Sequence, residues 1–327
     1  MVKLSVIVPF YNVRQYAPDT LRSLEANARP DVEFLLVDDC STDDTTALLE
    51  RAERGLPGAR LLRHERNRGI AAARNTGLTA ARGRYVTFLD GDDWLAPGHY
   101  GRLIAAMDDL GCDFVRTDHV RSTGRERVVQ RVPHGRRNAV MSPREAILPA
   151  ERSTSVDYPF VWADVYHRRL DDDRGLLRFT EGLHTCEDRL WTWRLHREAE
   201  SFAVVNLYGV FYRRGVASSL TRIGDERQLD FLRAFDLVMA ETAEDRDGEE
   251  LLPKVVRTYC AMMCHHLSAD AEGRYQPSVG RKLRTLTAAA LRRMPQEVLE
   301  RTLDTMDVER ATRLRRLRRR PAVGAAA

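Results

Sequence analysis

The stretch RYVTFLDGDDWL, residues 84–95, sets an apolar, strand-like run from Tyr85 to Leu89 directly against three carboxylates, Asp90, Asp92 and Asp93. Asp and Gly end strands because both favour turns and because an Asp side chain hydrogen-bonds nearby backbone. That accounts for one Asp and for Gly91. Three acids within four residues repel one another, and each resists ionisation unless a cation compensates. A hard divalent cation takes oxygen ligands and commonly shares them with phosphate oxygens. A buried strand ending in such a cluster points to a metal–diphosphate site.

The residues before this stretch supply its setting. LSVIVPF (4–10) and VEFLLVDD (32–39) are continuous apolar runs of the kind that parallel strands buried on both faces show, and ARLLRHER (59–66) reads as a short third strand. Helical patterns lie between them. One carries Tyr16, Leu21 and Leu24 on one side; the next runs to about Arg54, with Ser41 or Thr42 in place to cap it; IAAARNTGLTAARG (70–83) is a small-residue helix closed by Gly83. Strands alternating with helices predict an α/β domain with a mainly parallel sheet. Ligands of such sheets bind beyond the carboxyl ends of the strands. Asp38-Asp39 and Asp90-Gly91-Asp92-Asp93 both fall there, so they converge although about fifty residues separate them.

Beyond residue 95 the pattern changes. Strands are expected over 111–120, 125–132 and 203–214, and helices over 142–148 and 187–199. From about 225 the strands stop. Helical spacing over 230–241, 254–267, 281–294 and 296–318 predicts a C-terminal helical module. The expected organisation is a catalytic domain over 1–224, the module over 225–318 and a disordered tail over 319–327.

Composition excludes several classes. No apolar run among the 327 residues approaches the ~18 needed to span a membrane. The amino terminus reads as a first strand and not as a signal peptide. Five scattered cysteines suit a reducing cytoplasm better than a disulfide scaffold. The net charge is +4, but 310–320 holds seven Arg and no acid. The body is therefore mildly acidic, which argues against a nucleic-acid partner. The basic tail is either a solvated helix end or a peripheral contact to anionic lipid or polymer, at the inner face of a membrane. Neither a G-x-G-x-x-G after the first strand nor a Walker loop is present. A D-x-D of the dehalogenase kind belongs on the first strand, whereas this one is on the fourth.

SVIVPFYN (5–12), VDDCSTDDT (37–45), NRGIAAARNTG (67–77), FLDGDD (88–93) and CEDRLW (186–191), in that order and spacing over roughly residues 3–220, resemble a family-2 inverting glycosyltransferase of GT-A fold. The resemblance implies a UDP-sugar donor and Mn²⁺ or Mg²⁺. Pro9 and Tyr11 lie beside the nucleoside, Asp39 accepts from the uracil N3–H, and Asn67 and Arg74 lie near the base and diphosphate. Asp90, Gly91 and Asp92 form the D-x-D, with Asp92 the direct metal ligand and Asp90 beside it. Glu187 and Asp188 open the acceptor-side helix, and Asp188 matches the catalytic base. The chemistry agrees independently: a cation neutralises charge on the leaving diphosphate, and a carboxylate takes the proton of the attacking hydroxyl. For an acid at a helix start the plain alternative is dipole pairing.

Other residues remain open. Trp162, Trp191 and Trp193 could stack on sugar faces or pack in the core. Cys260, Cys264, His265 and His266 lack the second ligand pair that zinc normally takes, so buried helix positions are the expectation. RRGVASSLTR (213–222) occupies the place where such enzymes close over the diphosphate, which nominates Arg213, Ser218 and Ser219. FTEGLHTCEDRLWTWRL and RNTGL, joined to a helical module, are similar to bacterial enzymes that add N-acetylglucosamine to teichoic acid, which implies a glycan, polyol-phosphate or lipid-linked acceptor. The apolar stripe Val255, Val256, Tyr259, Met262, Met263 and Leu267 must be buried against the catalytic domain or another protomer, and a homo-oligomer is the expectation. A nucleotidyltransferase or a non-catalytic sugar-nucleotide-binding protein remains the alternative.

Overall fold

The computed structural model describes residues 1–216 and 223–319. Among them one curled nine-stranded sheet is formed by β1 (Leu4–Phe10), β2 (Val32–Asp38), β3 (Ala59–Arg63), β4 (Tyr85–Phe88), β5 (Trp94–Leu95), β6 (Phe114–Thr123), β7 (Glu126–Gln130), β8 (Asp164–His167) and β9 (Phe202–Arg214). Its order is β3-β2-β1-β4-β8-β6-β9-β5, with β7 paired to β6. The first four strands are parallel, and β8 joins antiparallel to both β4 and β6. The continuous apolar runs of β1 and β2 follow from burial on both faces. The carboxyl end of β1 sits beside that of β2, with Phe10 opposite Asp38.

The helices are α1 (Ala17–Glu25), α2 (Thr45–Gly55), α3 (Ile70–Ala80), α4 (His99–Leu110), α5 (Arg169–Asp172), α6 (Glu187–Glu198), α7 (Asp230–Ala243), α8 (Gly248–Ala271), α9 (Pro277–Arg293), α10 (Gln296–Asp304) and α11 (Val308–Arg318). The small residues of α3 let it lie close on β1. A Cβ at Gly77 would fall 2.3 Å from Cγ2 of Ile7, a side chain with no exposed surface. Gly77→Ala pits about 1 kcal/mol of helix propensity against an overpacked contact costing about 1–3 kcal/mol. The expected outcome is a melting midpoint a few degrees lower; an unchanged or higher midpoint would refute the close α3–β1 packing.

Several local expectations are corrected. Helix α2 starts after Asp44, so neither Ser41 nor Thr42 caps it; the Ser41 hydroxyl accepts from the Asn12 backbone N–H instead. Helix α3 ends at Ala80, and Gly83 serves packing: a Cβ there would lie 2.6 Å from the Ser5 nitrogen. The helix expected over 142–148 is a single 3₁₀ turn, Pro143–Ala146, because Pro149 bars Leu148 from helical backbone. The pattern over 296–318 is two helices, since the Asp307 side chain accepts from Arg310 N–H and starts α11 afresh. The two-residue β5 was not foreseen. It pairs with β9, Trp94 opposite Phe211, and ties the strand after the acidic cluster to the far side of the sheet.

The C-terminal helices do not stand apart. Leu190 and Trp193 of α6 pack with Ala234 and Val238 of α7 and with Leu251 and Val255 of α8. Arg194 and Arg197 of α6 both reach Glu241 of α7. The stripe on α8 is satisfied within the chain: Val255, Val256, Tyr259 and Met263 have no exposed surface, and Leu267 is buried. It therefore needs no second protomer, and the argument for an oligomer that rested on it falls.

Candidate active site

Four chain segments meet beyond the carboxyl ends of β1, β2 and β4. Gly91 passes so close to β1 that a Cβ would sit 2.6 Å from the Phe10 ring and 2.8 Å from the Pro9 carbonyl. The D-x-D thus needs glycine at its centre because it rides on the PF of PFYN. The Thr20 hydroxyl, from α1, reaches the carbonyls of Asp93 at 2.6 Å and Gly91 at 2.9 Å and fixes the turn. Tyr11 is exposed at the rim.

The end of β2 is organised by Asp38 and Asp39. Asp38 accepts from Ser41 N–H and from the Thr46 hydroxyl, stabilising the turn into α2. The buried Asp39 carboxylate takes His64 Nδ1 at 2.6 Å, Arg68 N–H at 2.8 Å and Gly69 N–H at 2.8 Å. Asn67 donates to the Asp39 carbonyl at 3.3 Å. Asp39 therefore clamps the loop that launches α3. Sequence reasoning missed His64, whose other ring nitrogen faces the Thr76 hydroxyl at 2.8 Å; its place one residue beyond β3 was the available signal.

Arg74 joins the two acidic motifs. From α3 its guanidinium donates to Asp90 Oδ1 at 3.0 Å and to Glu187 Oε1 at 2.8 Å, and it lies 5.1 Å over the Phe179 ring. The D-x-D and the Glu-Asp pair, nearly a hundred residues apart, are thereby held on one buried cation.

The site is rich in uncompensated negative charge. Burial, then the charge of Asp90, pushes the Asp92 carboxyl up to about 6. Burial and the charges of Asp92 and Asp90 raise Asp93 well above the ordinary carboxylate range. Asp93 accepts from Arg213 N–H at 2.7 Å through one oxygen, and its other oxygen is buried without a partner. Across the cleft, Glu187 and Asp188 begin α6 after Cys186, which holds a left-handed φ of +61°. Burial and the Asp188 charge push Glu187 up to about 7, and burial raises Asp188 as well; Arg74 and, for Asp188, Arg189 oppose this. Glu187 is buried, whereas Asp188 keeps a minor part of its surface exposed. Among the described residues no group of three or more His, Cys, Asp or Glu gathers as a complete metal cage. An oxygen-only donor set of few protein ligands suits a hard cation that completes its shell with phosphate and water.

Arg213 is brought to this site. Its Nε donates to the Asp92 carbonyl at 2.8 Å, an NH2 to Asp19 at 2.8 Å, and its guanidinium lies 4.5 Å over Trp94. Ser218 and Ser219 lie outside the described residues. The tryptophans are corrected. Trp191 is 1% exposed and stacked on Phe179, and Trp193 is equally buried between α6 and the C-terminal helices. Trp162 is buried against His119, Phe160 and Tyr212. All three are core side chains, because α6 and the segment before β8 are covered on their inner faces.

The Glycosyl transferase family 2 model matches residues 5–170. The chain belongs to this family. It is 30% identical over 233 residues to the uncharacterized glycosyltransferase EpsJ of Bacillus subtilis (strain 168), covering 69% of this chain and 65% of EpsJ. It is 28% identical over 247 residues to the poly(ribitol-phosphate) beta-N-acetylglucosaminyltransferase TarS of Staphylococcus aureus (strain Mu50), covering 74% of this chain and 40% of TarS. The chain thus spans less than two thirds of the length of these curated relatives. Among solved structures, S. aureus TarS 1–349 in complex with UDP-GlcNAc superposes with a TM-score of 0.73 at 21% identity, covering 97% of this chain and 87% of that one. The fold is therefore GT-A, and the likeness takes in the C-terminal helices.

Proposed function

We propose that this protein is a glycosyltransferase that moves a sugar from a UDP-sugar to a hydroxyl of a bacterial surface glycan or polymer, with inversion and with the help of Mn²⁺ or Mg²⁺. The observation that carries the reading is the buried Arg74 bridge, which holds the D-x-D and the Glu-Asp pair on one guanidinium. Asp92, with Asp90 beside it, would hold the cation. When bound, the cation neutralises the charge that develops on the leaving diphosphate. Pro9, Tyr11, Asp39 and Asn67 form the nucleoside side, Arg213 flanks the diphosphate side, and Asp188 takes the proton of the incoming hydroxyl while Glu187 orients it. A UDP-GlcNAc donor and a polyol-phosphate acceptor are supported by the TarS relative, whose name and complex carry both.

The test is a thermal-shift series with UDP, GDP and CDP, each with and without Mn²⁺. Metal-dependent stabilisation selective for UDP is expected; stabilisation by none of them, or by all equally without metal, would overturn the reading. Asp39 gives a second check. Asp39→Asn should weaken UDP binding while leaving the metal requirement intact. Equal losses for UDP and CDP would mean that Asp39 acts only through the 67–69 loop it clamps and does not read the base.

A further inference from the structure

Charge is distributed unevenly along the chain. Residues 277–319 carry twelve Lys or Arg against five Asp or Glu, whereas the rest of the molecule is net acidic. Helix α9 alone has Arg281, Lys282, Arg284, Arg292 and Arg293 and no acid. Eleven residues are just over three full turns of helix, so Arg281 and Arg292, and likewise Lys282 and Arg293, stand in line. Thr285 and Leu286 lie between them, and all six are exposed. The opposite face of α9 is buried through Val279, Leu283 and Leu291. The outer face is therefore a line of basic side chains with one exposed leucine, in which Lys282 is paired with Glu226 and Arg293 with Asp236 while Arg281 keeps its charge free.

Helix α11 extends the stripe. The Arg292 side chain donates to the Arg318 carbonyl, which brings the carboxyl end of α11 to that of α9. There Arg315 and Arg318 are occupied by Glu300. Arg316 and Arg319 are exposed and, like Arg281, make no side-chain bond among the described residues. Isolated cations on a surface already this basic are unfavourable unless something anionic covers them.

The stripe also has a defined position relative to the chemistry. Lys282, Leu286 and Arg293 form one wall of a cleft of about 610 Å³, and His184, two residues before Cys186 and α6, lies on its other side.

We propose that the exposed face of α9, with the carboxyl end of α11, is a docking surface for an anionic phospholipid bilayer, which brings the cleft beside α6 to acceptors held at that bilayer. The pattern fits a peripheral and electrostatic contact. No helix among the described residues is long and apolar enough to cross a membrane. Leu286 is the one large apolar side chain on the α9 face, so attraction to anionic headgroups carries the binding. The bilayer contact stands independently of the donor and acceptor assigned above, whereas the delivery of acceptors to the cleft rests on that reading.

The test is co-sedimentation of the full chain with vesicles of phosphatidylcholine alone or with roughly one third phosphatidylglycerol. The wild type is expected to sediment with the anionic vesicles at low salt, to leave them at roughly 0.5 M salt, and to ignore the neutral ones. The triple variant Arg281→Gln, Arg316→Gln, Arg319→Gln should bind the anionic vesicles about a hundredfold more weakly. Its melting midpoint and donor hydrolysis should be unchanged, since none of the three touches the site. Equal binding to neutral vesicles, salt-independent binding, or full binding by the triple variant would overturn the proposal. So would competition by soluble polyphosphate at equal phosphate concentration, which would make the face a generic polyanion surface.

Discussion

Asp188→Asn is expected to lower transfer by ~10²–10⁴ while donor affinity stays within a few-fold. The substitution keeps shape and most hydrogen bonding but cannot take the proton of the attacking hydroxyl. Donor contacts proposed for Asp39, Arg74 and Asp92 lie on other elements, so they survive. The pH profile sharpens the test. A base works deprotonated, so activity is lost as pH falls through its pKa. Burial, then the Asp188 charge, raises Glu187 to about 7, and burial, with the Asp90 charge, raises Asp188. The acid limb of kcat/KM is therefore expected above the pH range of an ordinary Asp, and Asp188→Asn should flatten it. Glu187→Gln should cost less and shift the limb to lower pH, because it removes the neighbouring charge. The measurement pairs calorimetric donor binding with turnover on the true acceptor. Joint loss would make Asp188 a structural residue. Full retention of turnover would move the base to Glu187, since Asp157 is tied to Lys254 and Asp164 to Arg116.

Asp92→Ala is expected to abolish both turnover and the Mn²⁺-dependent part of UDP binding. Asp92 has a carboxyl raised to about 6 by burial beside Asp90, the signature of a charge waiting for compensation. Asp93 is closer to full burial, but one of its oxygens is spent on Arg213, so it braces the turn. Titrating UDP into the variant with and without Mn²⁺ decides the matter. An unchanged metal effect would remove Asp92 from the ligand set and nominate Asp90.

The fold was legible where the sequence obeys one rule at a time. Strands β1 and β2 are apolar at nearly every position because both faces are covered, and α6 begins with its acids. The short 3₁₀ turn at 143–146 and the break at 305–307 were misread because single residues, Pro149 and Asp307, overrode helical spacing. The site was legible as a set of acids, but its connections were not. That Asp39 holds His64, and that Arg74 spans Asp90 and Glu187, are facts of three-dimensional proximity that no spacing encodes. The tryptophans were ambiguous for a related reason: an amphipathic ring serves core and cleft equally well until its neighbours are known.

Helix α6 has two owners. Its first turn presents Glu187 and Asp188 to the cleft, while Trp193, Arg194 and Arg197 further along are gripped by α7 and α8. Chimeras that aim to retarget such an enzyme by exchanging everything after residue 224 would leave α6 facing a foreign partner and tilt the acids at its start. A workable junction lies upstream of α6, near Gly182, so that the helix travels with the module that seats it.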